Sequence, residues 1–209
     1  MSSKQIRPDG KYDKLEPQEQ VALKQLLEME FPDSLFLLPS HAWEYGLTFG
    51  LKKDGAREVV KQLRDNERYS FEMLIDVTAV DWMDKREPRF EVVYQLLSIK
   101  NRFRLCLKIE VDEDNPEVES LVPVHPAANF LEREVWDMYG IKFKDHPDLR
   151  RILLYDEFVG YPLRKDYPLR GKQPRVELRI PELRDDSADM KREQLVSLPV
   201  RQRFVEPEA

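Results

Sequence analysis

The feature that most constrains the fold is an alternating pattern of residues in the middle of the chain. Every odd-numbered residue from 71 to 79 is apolar, and the odd-numbered residues of 103–111 repeat this pattern. A period of two places such residues on one face of a β-strand, the face that packs against a core. The segment 103–111 follows the apolar segment 90–99 across a tight turn at 100–101, which predicts an antiparallel hairpin. The sequence therefore predicts three strands here, each with one buried face.

The rest of the first 144 residues contains segments with helical or strand periodicity. Helices are predicted over about 17–31, 54–67 and 129–139, where apolar residues recur with helical spacing. Strands are predicted at 35–38 and 45–51. Helices and strands segregated in this order, with a hairpin among them, favour an α+β fold over a doubly wound sheet. We expect a mixed or antiparallel sheet with a hairpin, packed by about three helices.

The ends of the third helix have their own signals. Asn129 with Glu132 three residues later has the spacing of a capping box, and Gly140 is suited to end the helix in a left-handed turn. The acidic stretch 112–119, which contains Pro116, is predicted to be a solvated loop.

Regular periodicity stops at residue 145. The segment 145–209 is rich in proline, yet its first part has too much apolar area to leave in water. The segment 145–175 has seven Lys and Arg residues against five Asp and Glu residues. We therefore predict a globular α+β domain over 1–144 and, over 145–209, an extended arm that wraps on partner subunits.

Composition excludes several classes of function. A net charge of −6 argues against nucleic acid as a partner, because nucleic-acid binding depends on a positive field. The single cysteine, Cys106, excludes a disulfide framework and any multi-thiolate zinc or iron–sulfur site built by this chain alone. Residues 1–14 lack the apolar core of a signal peptide, and no run is long enough to span a bilayer. We expect a soluble protein of a reducing compartment.

Candidate metal-binding and nucleophilic residues are sparse. His41, His125 and His146 are far apart and lack ligand spacing, so a zinc site is the minor interpretation. Cys106 is interpreted as a structural strand residue. The chain has no glycine-rich phosphate loop, no nucleophile elbow and no His-Glu-x-x-His motif. No complete active site is visible by chemistry alone.

The densest charged cluster lies on the third helix. Arg133 and Asp137 are one turn apart and are predicted to pair, whereas Glu132 and Glu134 point about 200° apart around the axis and cannot share a proton. This face is predicted to be solvated or to form an ion-pair network at an interface, flanked by Trp136.

Basic residues also recur along the arm. Arg150, Arg151, Arg164 and Lys165 could hold a phosphate or a carboxylate ligand. Their spread along an extended segment favours pairing with acidic residues of a partner.

Four runs of sequence together resemble a known family. They are Leu-Ile-Asp-Val-Thr-Ala-Val-Asp-Trp (74–82), Glu-Arg-Glu-Val-Trp-Asp-Met-Tyr-Gly-Ile (132–141), His-Pro-Asp-Leu-Arg-Arg-Ile-Leu (146–153) and Phe-Val-Gly-Tyr-Pro-Leu-Arg-Lys-Asp-Tyr-Pro-Leu (158–169). With Phe143, they resemble the signature of the thirty-kilodalton subunit, also called the C subunit, of respiratory complex I, NADH:quinone oxidoreductase. The resemblance covers roughly 70–169.

The resemblance implies a hydrophilic subunit in the quinone module of the peripheral arm, without a cofactor of its own. FMN, iron–sulfur clusters and quinone would be bound by other chains of the complex. The main partner would be the large D subunit. The B subunit, which carries the terminal iron–sulfur cluster, and other peripheral-arm subunits would lie nearby, on the cytoplasmic side of the bacterial plasma (inner) membrane. The implied interface or structural residues are Glu132, Arg133, Glu134, Trp136, Asp137, Tyr139, Gly140, His146, Arg150, Arg151, Gly160, Pro162, Leu163, Arg164, Lys165 and Asp166.

Three alternatives remain open from the sequence. The first is the homologous subunit of a membrane-bound hydrogenase or of a photosynthetic NDH-type complex, which shares this signature. The second is a stand-alone acid–base enzyme that uses Glu132 or Asp137. The third is an assembly factor that leaves the mature complex.

Overall fold

The structure, a computed structural model, describes residues 17–37, 47–170 and 173. Its main element is a five-stranded mixed sheet with the strand order β1-β2-β5-β4-β3. The strands are β1 (Leu35–Leu37), β2 (Leu47–Leu51), β3 (Met73–Asp81), β4 (Phe90–Ser98) and β5 (Phe103–Val111). Neighbouring strands run antiparallel, except that β2 runs parallel to β5. The α+β class and the mixed sheet are confirmed.

The predicted hairpin is formed by β4 and β5, which pair along their whole length from Phe90↔Val111 to Ser98↔Phe103. Alternate residues of both strands point into the core, where Tyr94 and Leu107 are fully buried neighbours. The apolar residues that recur with a period of two in the sequence are therefore those that this hairpin turns towards the core.

Strand β3 departs from the predicted alternation. A β-bulge lies between Leu74 and Asp76, and the extra residue shifts the phase of the strand. Met73 and Ile75 are consequently exposed, whereas Leu74 is buried opposite Leu96. The prediction that Met73 and Ile75 share the buried face was wrong.

The helices are α1 (Pro17–Glu30), α2 (Ala56–Asp65) and α3 (Ala128–Tyr139), all inside or within a residue of the predicted ranges. In α2, the apolar stripe of Ala56, Val59, Val60 and Leu63 is buried.

The start of α3 differs from the prediction. The cap position is Ala127, which makes no side-chain cap bond. The carboxylate of Glu132 does not turn back to the helix terminus but accepts bonds from Ser120 and Leu121 on the preceding loop. The prediction of a capping box was therefore wrong, because the buried carboxyl group of Glu132 binds the loop and not the helix terminus. The predicted end is confirmed, since Gly140 has a φ of 76° and its N–H donates to the carbonyl of Trp136.

A second, two-stranded parallel sheet joins β6 (Glu117–Glu119) to β7 (Lys142–Lys144). It corrects the prediction that all of 112–119 is a loop. Val118 and its pairing partner Phe143 are buried. Burial of these two apolar side chains explains why residues 117–119 form a strand although two of them are acidic.

From residue 145 to 170 the chain forms neither helix nor strand, as expected from its lost periodicity. The N–H of Leu163 nevertheless donates to the carbonyl of Met138 at 3.1 Å, across the boundary predicted at 144/145. That boundary and the wrapping on partners remain predictions. Residues 171, 172 and 174–209 of the predicted arm lie outside the described residues, as does His41. Within the described part, no helix is long and apolar enough to cross a membrane.

Candidate partner-binding site

The candidate site is the arm segment, residues 145–170, together with the side chains that hold it. Its first anchor is Asp137, which is fully buried near the end of α3. One oxygen accepts a bond of 2.7 Å from Nη1 of Arg151. The other accepts the backbone N–H groups of Ile152, Leu153 and Leu154 at 2.9–3.1 Å. Three successive N–H groups around one oxygen form an anion-binding nest, so the chain folds around this carboxylate.

The contacts of Asp137 also fix its ionisation. Burial acts to raise its pKa, but the three N–H bonds and the Arg151 guanidinium outweigh burial and hold the pKa below its usual value. Asp137 is therefore ionised in the folded chain at neutral pH, and it serves as a charged anchor.

Arg133 binds the same turn from the other side. Its Nε and Nη2 atoms donate to the carbonyls of Arg150 and Arg151, each at 3.1 Å. The predicted pair between Arg133 and Asp137 was wrong, because both side chains bind the arm segment instead of each other.

Arg151 lies among aromatic rings. Its guanidinium carbon is 5.9 Å from the ring centres of Trp136 and Phe158 and 6.0 Å from that of Tyr161. Its Nη2 also donates to the carbonyl of Phe158 at 3.0 Å. An arginine held by a carboxylate and three rings ties two parts of the arm segment to α3.

Arg164 closes the end of α3. Its Nε donates to the carbonyl of Tyr139 at 2.6 Å, and its guanidinium lies 5.0 Å from the ring of Phe90 and 4.8 Å from that of Tyr161. A cation at a helix C-terminus is stabilised by the unpaired carbonyls there.

Two glycines of the predicted set allow close aromatic packing. A Cβ on Gly140 would lie 2.5 Å from the ring of Tyr161, and one on Gly160, which has a φ of 96°, would lie 2.9 Å from the ring of Tyr167. The half-buried Pro162 follows Tyr161. Glycine is required at residue 140 for both its conformation and this contact.

The second anchor joins the sheet to the arm segment. Arg89, at the start of β4, donates to Asp81 at the end of β3 at 2.9 and 3.0 Å, and to Asp166 at 2.9 Å. It also pairs with Glu113. The N–H of Lys165 donates to Asp81 at 2.8 Å. One buried arginine thus connects both strands to the arm.

The charges of this anchor stabilise each other. Burial of Asp81 acts to raise its pKa, but the bonds from Arg89, Lys165 and Met83 lower it to about 2. The bond to Asp81 in turn raises the pKa of Arg89. Both groups are therefore charged at neutral pH.

The charged face of α3 is not solvated as a whole. Glu132, Arg133 and Asp137 are buried, and only Glu134 is exposed. The prediction that this face is exposed to solvent was therefore wrong for Glu132, Arg133 and Asp137. His146, after β7, faces the same helix, with its Nε2 atom 3.2 Å from the carbonyl of Asn129.

The arm segment exposes a row of apolar side chains. They are Leu153, Tyr155, Val159, Leu163 and Leu169, the last of which is 99% exposed. Exposed basic residues lie among them, including Arg150, Lys165 and Arg170. An ordered segment with apolar and basic side chains turned outwards is suited to contact another protein.

The other predicted candidates are placed away from the arm segment. Cys106 lies buried in the middle of β5, and burial raises the pKa of its thiol, so it is a poor nucleophile. His125 is buried beside the α2 end, and burial lowers its pKa. Among the described residues, no group of three or more His, Cys, Asp or Glu side chains is arranged to hold a metal ion.

Sequence reasoning missed the second anchor. Asp81 lay inside the resembling strand but was not selected, and Arg89 and Glu113 carried no sequence signal. Their position next to Asp166 depends on the turn of the chain between β3 and β4. Only the fold brings them together.

The fold and these contacts define a class: an α+β domain whose buried charges hold an irregular segment with exposed apolar side chains. Residues 49–173 match the family described as respiratory-chain NADH dehydrogenase, 30 Kd subunit. The chain belongs to this family, as the resemblance predicted. It is accordingly one of the subunits of NADH–quinone oxidoreductase, the complex I of respiratory chains.

Curated relatives support this assignment. The C subunit of NADH-quinone oxidoreductase from Citrifermentans bemidjiense is 49% identical over 125 residues, which cover 60% of this chain and 76% of that protein. The protein of the same name from Roseiflexus sp. (strain RS-1) is 44% identical over 147 residues, which cover 70% and 83%.

Solved structures share the fold. A trypsin-resistant fragment of Nqo5 matches with a TM-score of 0.52 at 29% identity, over 61% of this chain and 98% of the fragment. A chain of a membrane-bound sulfane sulfur reductase, an archaeal respiratory complex, matches with a TM-score of 0.59 at 24% identity, over 73% and 86%. The second match shows a common fold alone.

Proposed function

We propose that this chain is a cofactor-free structural subunit of the quinone module in the peripheral arm of a proton-pumping NADH:quinone oxidoreductase. Electrons from NADH pass through FMN and iron–sulfur clusters in other subunits to quinone. The chain itself performs no chemical step; it joins neighbouring subunits. Its main partner is the large D subunit, with the B subunit nearby, on the cytoplasmic side of the plasma membrane.

The observation that carries this proposal is the exposed apolar surface of the arm segment. Leu153, Val159 and Leu163 lie about half or more exposed, on a segment whose backbone N–H groups are bound by Asp137 and Asp81. Apolar side chains held outwards by buried charges gain free energy when another surface covers them. A prearranged segment also loses less conformational entropy on binding.

Charge indicates what the partner surface offers. Residues 145–175 have seven Lys and Arg residues against five Asp and Glu residues in an acidic chain, and the side chain of Arg150 is 72% exposed. The proposal expects the partner to offer an acidic surface beside an apolar groove, which would complement this pattern.

The test is affinity purification of the tagged full chain from its native membranes in mild detergent. The proposal expects recovery of NADH:quinone activity together with the D and B subunits and the subunits that bind flavin and the other iron–sulfur clusters. Recovery of the chain alone would contradict it. Recovery with a nickel-containing partner and no flavin subunit would assign the chain to a hydrogenase-type complex instead.

A further inference from the structure

Among the residues that the structure describes, the fully buried carboxyl group of Glu132 has no arginine or lysine within ion-pair distance. Its oxygens accept bonds of 2.7 Å from the N–H of Leu121 and from the hydroxyl of Ser120. Among the described residues, only the Nε2 atom of His146 lies within ion-pair distance, at 4.0 Å. Burial of an unpaired carboxylate is costly, and a carboxyl group in such a site keeps its proton instead.

The hydrogen bonds of His146 show that its ring does not supply the missing charge. Its Nδ1 atom accepts the N–H of Asp148 at 3.0 Å, so Nδ1 carries no proton. The proton is therefore on Nε2, which faces the carbonyl of Asn129 at 3.2 Å. The imidazole is neutral, with this tautomer assigned from its partners.

Arg57, on α2, is the arginine whose charge acts on Glu132, but its guanidinium is hydrogen-bonded elsewhere. It donates to the carbonyl of Ser120 at 2.8 Å, to the carbonyl of Lys144 at 3.2 Å and to the carboxylate of Asp145 at 3.2 Å. Asp145 balances much of its charge, so Arg57 favours ionisation of Glu132 only from a distance.

The remaining neighbours add no cation. Tyr94 on β4 is buried, and burial raises the pKa of its hydroxyl, which therefore stays neutral. Glu119, at the end of β6, is bound to the backbone N–H of Arg57. On α3 itself, the charged residues Arg133 and Asp137 bind the arm segment.

The resulting environment favours the protonated acid. Burial raises the pKa of Glu132 to about 7, although the bonds from Leu121 and Ser120 and the charge of Arg57 act to lower it. Asp137 lies five residues later on the same helix, equally buried, and ionises because Arg151 and three N–H groups surround it. Near pH 7 the Glu132 carboxyl group is therefore about half protonated, whereas that of Asp137 is ionised.

We propose that Glu132 is a proton-operated latch: as the carboxylic acid it holds the loop before α3 to the helix, beside His146 at the start of the arm, and its ionisation loosens this junction. The Ser120 hydroxyl donates to the ionised carboxylate; when Oε2 is protonated, the Ser120 hydroxyl turns and accepts its O–H across the same 2.7 Å. On ionisation the O–H bond breaks and the proton passes to water. The anion is more favourably solvated when the junction opens, so ionisation favours the opened chain. This inference concerns the folded chain and holds whichever complex contains it.

The size of the pH effect on opening follows from the pKa of Glu132 in the opened and in the closed chain. With a usual pKa of 4.5 in the opened chain and about 7 in the closed one, opening increases about tenfold between pH 6 and pH 8. Glu132→Gln keeps the shape and a neutral donor next to Ser120, so opening of this variant should not depend on pH in this range.

The first experiment is infrared spectroscopy of the full wild-type chain across pH 5–9, with Glu132→Gln subtracted. The proposal expects the band of a protonated carboxyl group that disappears with a midpoint near 7 and is absent from the variant. A wild-type spectrum without any protonated carboxyl band at pH 6 would overturn the proposal, even if the variant fails to fold.

The second experiment measures opening directly. Trypsin cleavage at Lys144, Arg150 and Arg151 is measured at pH 6 and pH 8 in the wild type and in Glu132→Gln. At each pH the cleavage rate of the wild type is divided by that of the variant, so that the pH dependence of trypsin itself cancels in this ratio. The proposal expects this ratio to rise about tenfold from pH 6 to pH 8. A ratio that stays constant would overturn it. Glu134→Gln, an exposed neighbour on the same helix, should retain the wild-type pH dependence.

Discussion

Asp137 and Arg151 form a buried ion pair of 2.7 Å that connects α3 to the arm segment. The carboxylate has no exposed surface, and the arginine side chain is 15% exposed. Removing one partner of such a pair leaves an uncompensated buried charge, which costs far more than the pair itself contributes. The same carboxylate also organises the backbone at residues 152–154. The conformation of residues 152–154 therefore depends on this one carboxylate.

The first prediction concerns this anchor. Asp137→Asn should destabilise the chain by about 3 kcal/mol, because an amide N–H₂ would face Arg151 and the ion pair would be lost. Urea unfolding at pH 7 measures the change. Glu134→Gln, which alters an exposed carboxylate on the same helix, should change stability by less than about 0.5 kcal/mol. Equal effects of the two substitutions would contradict the role of Asp137.

The second prediction compares two glycines with nearly the same backbone conformation. Gly140 has a φ of 76° and Gly55 a φ of 77°, but only a Cβ at residue 140 would collide with Tyr161. Gly55→Ala should cost about 1 kcal/mol for the left-handed conformation. Gly140→Ala should cost about 1–3 kcal/mol more, because the ring of Tyr161 must move.

A double-mutant cycle separates the two costs at residue 140. In a Tyr161→Ala background, Gly140→Ala should cost no more than Gly55→Ala does in the wild type. If the excess cost persists without the ring, the contact between Gly140 and the arm segment is not its cause.

The third prediction concerns acid stability. The pKa of Asp81 is about 2 in the folded chain, below its usual 3.8, so its stabilising effect is fully present above pH 3.8 and is lost as the pH falls towards 2. The contribution is about 2 kcal/mol. In urea unfolding between pH 6 and pH 2.5, Asp81→Asn should therefore show a shallower loss of stability than the wild type. Parallel pH profiles of the two proteins would refute the assignment.

The sequence predicted the sheet and the helices because their side chains repeat with the period of the backbone. The hairpin of β4 and β5 and the end of α3 at Gly140 follow from such local rules. The bulge at Ile75 was not predictable in this way, because one extra residue shifts the alternation without changing its apolar content.

The anchors were harder to predict because they depend on contacts distant in sequence. The charged residues of α3 were recognised, but their partners were not: local spacing paired Arg133 with Asp137, whereas the fold pairs Asp137 with Arg151. Likewise, Arg89 meets Asp166 across 77 positions of sequence. Long-range ion pairs carry no periodic signal, so only the folded chain identifies them.

The fourth prediction tests the surface through which we propose that the chain binds its partner. Leu163 on the arm segment and Val21 on α1 are 49% and 51% exposed. A glutamate at either position should change the stability of the isolated chain by less than about 0.5 kcal/mol, because both side chains already face solvent. At the position of Leu163, however, a partner would bury an unpaired charge, which costs about 1–3 kcal/mol or more.

The most direct measurement is the yield of the other complex I subunits that copurify with the tagged full chain from native membranes, compared between Leu163→Glu and Val21→Glu. The account predicts that Leu163→Glu recovers at least about tenfold less of the large D subunit, equivalent to about 1.4 kcal/mol of binding free energy. Val21→Glu should recover as much as the wild type. Equal recovery of the large D subunit by both variants would contradict the claim that the arm segment is the docking surface.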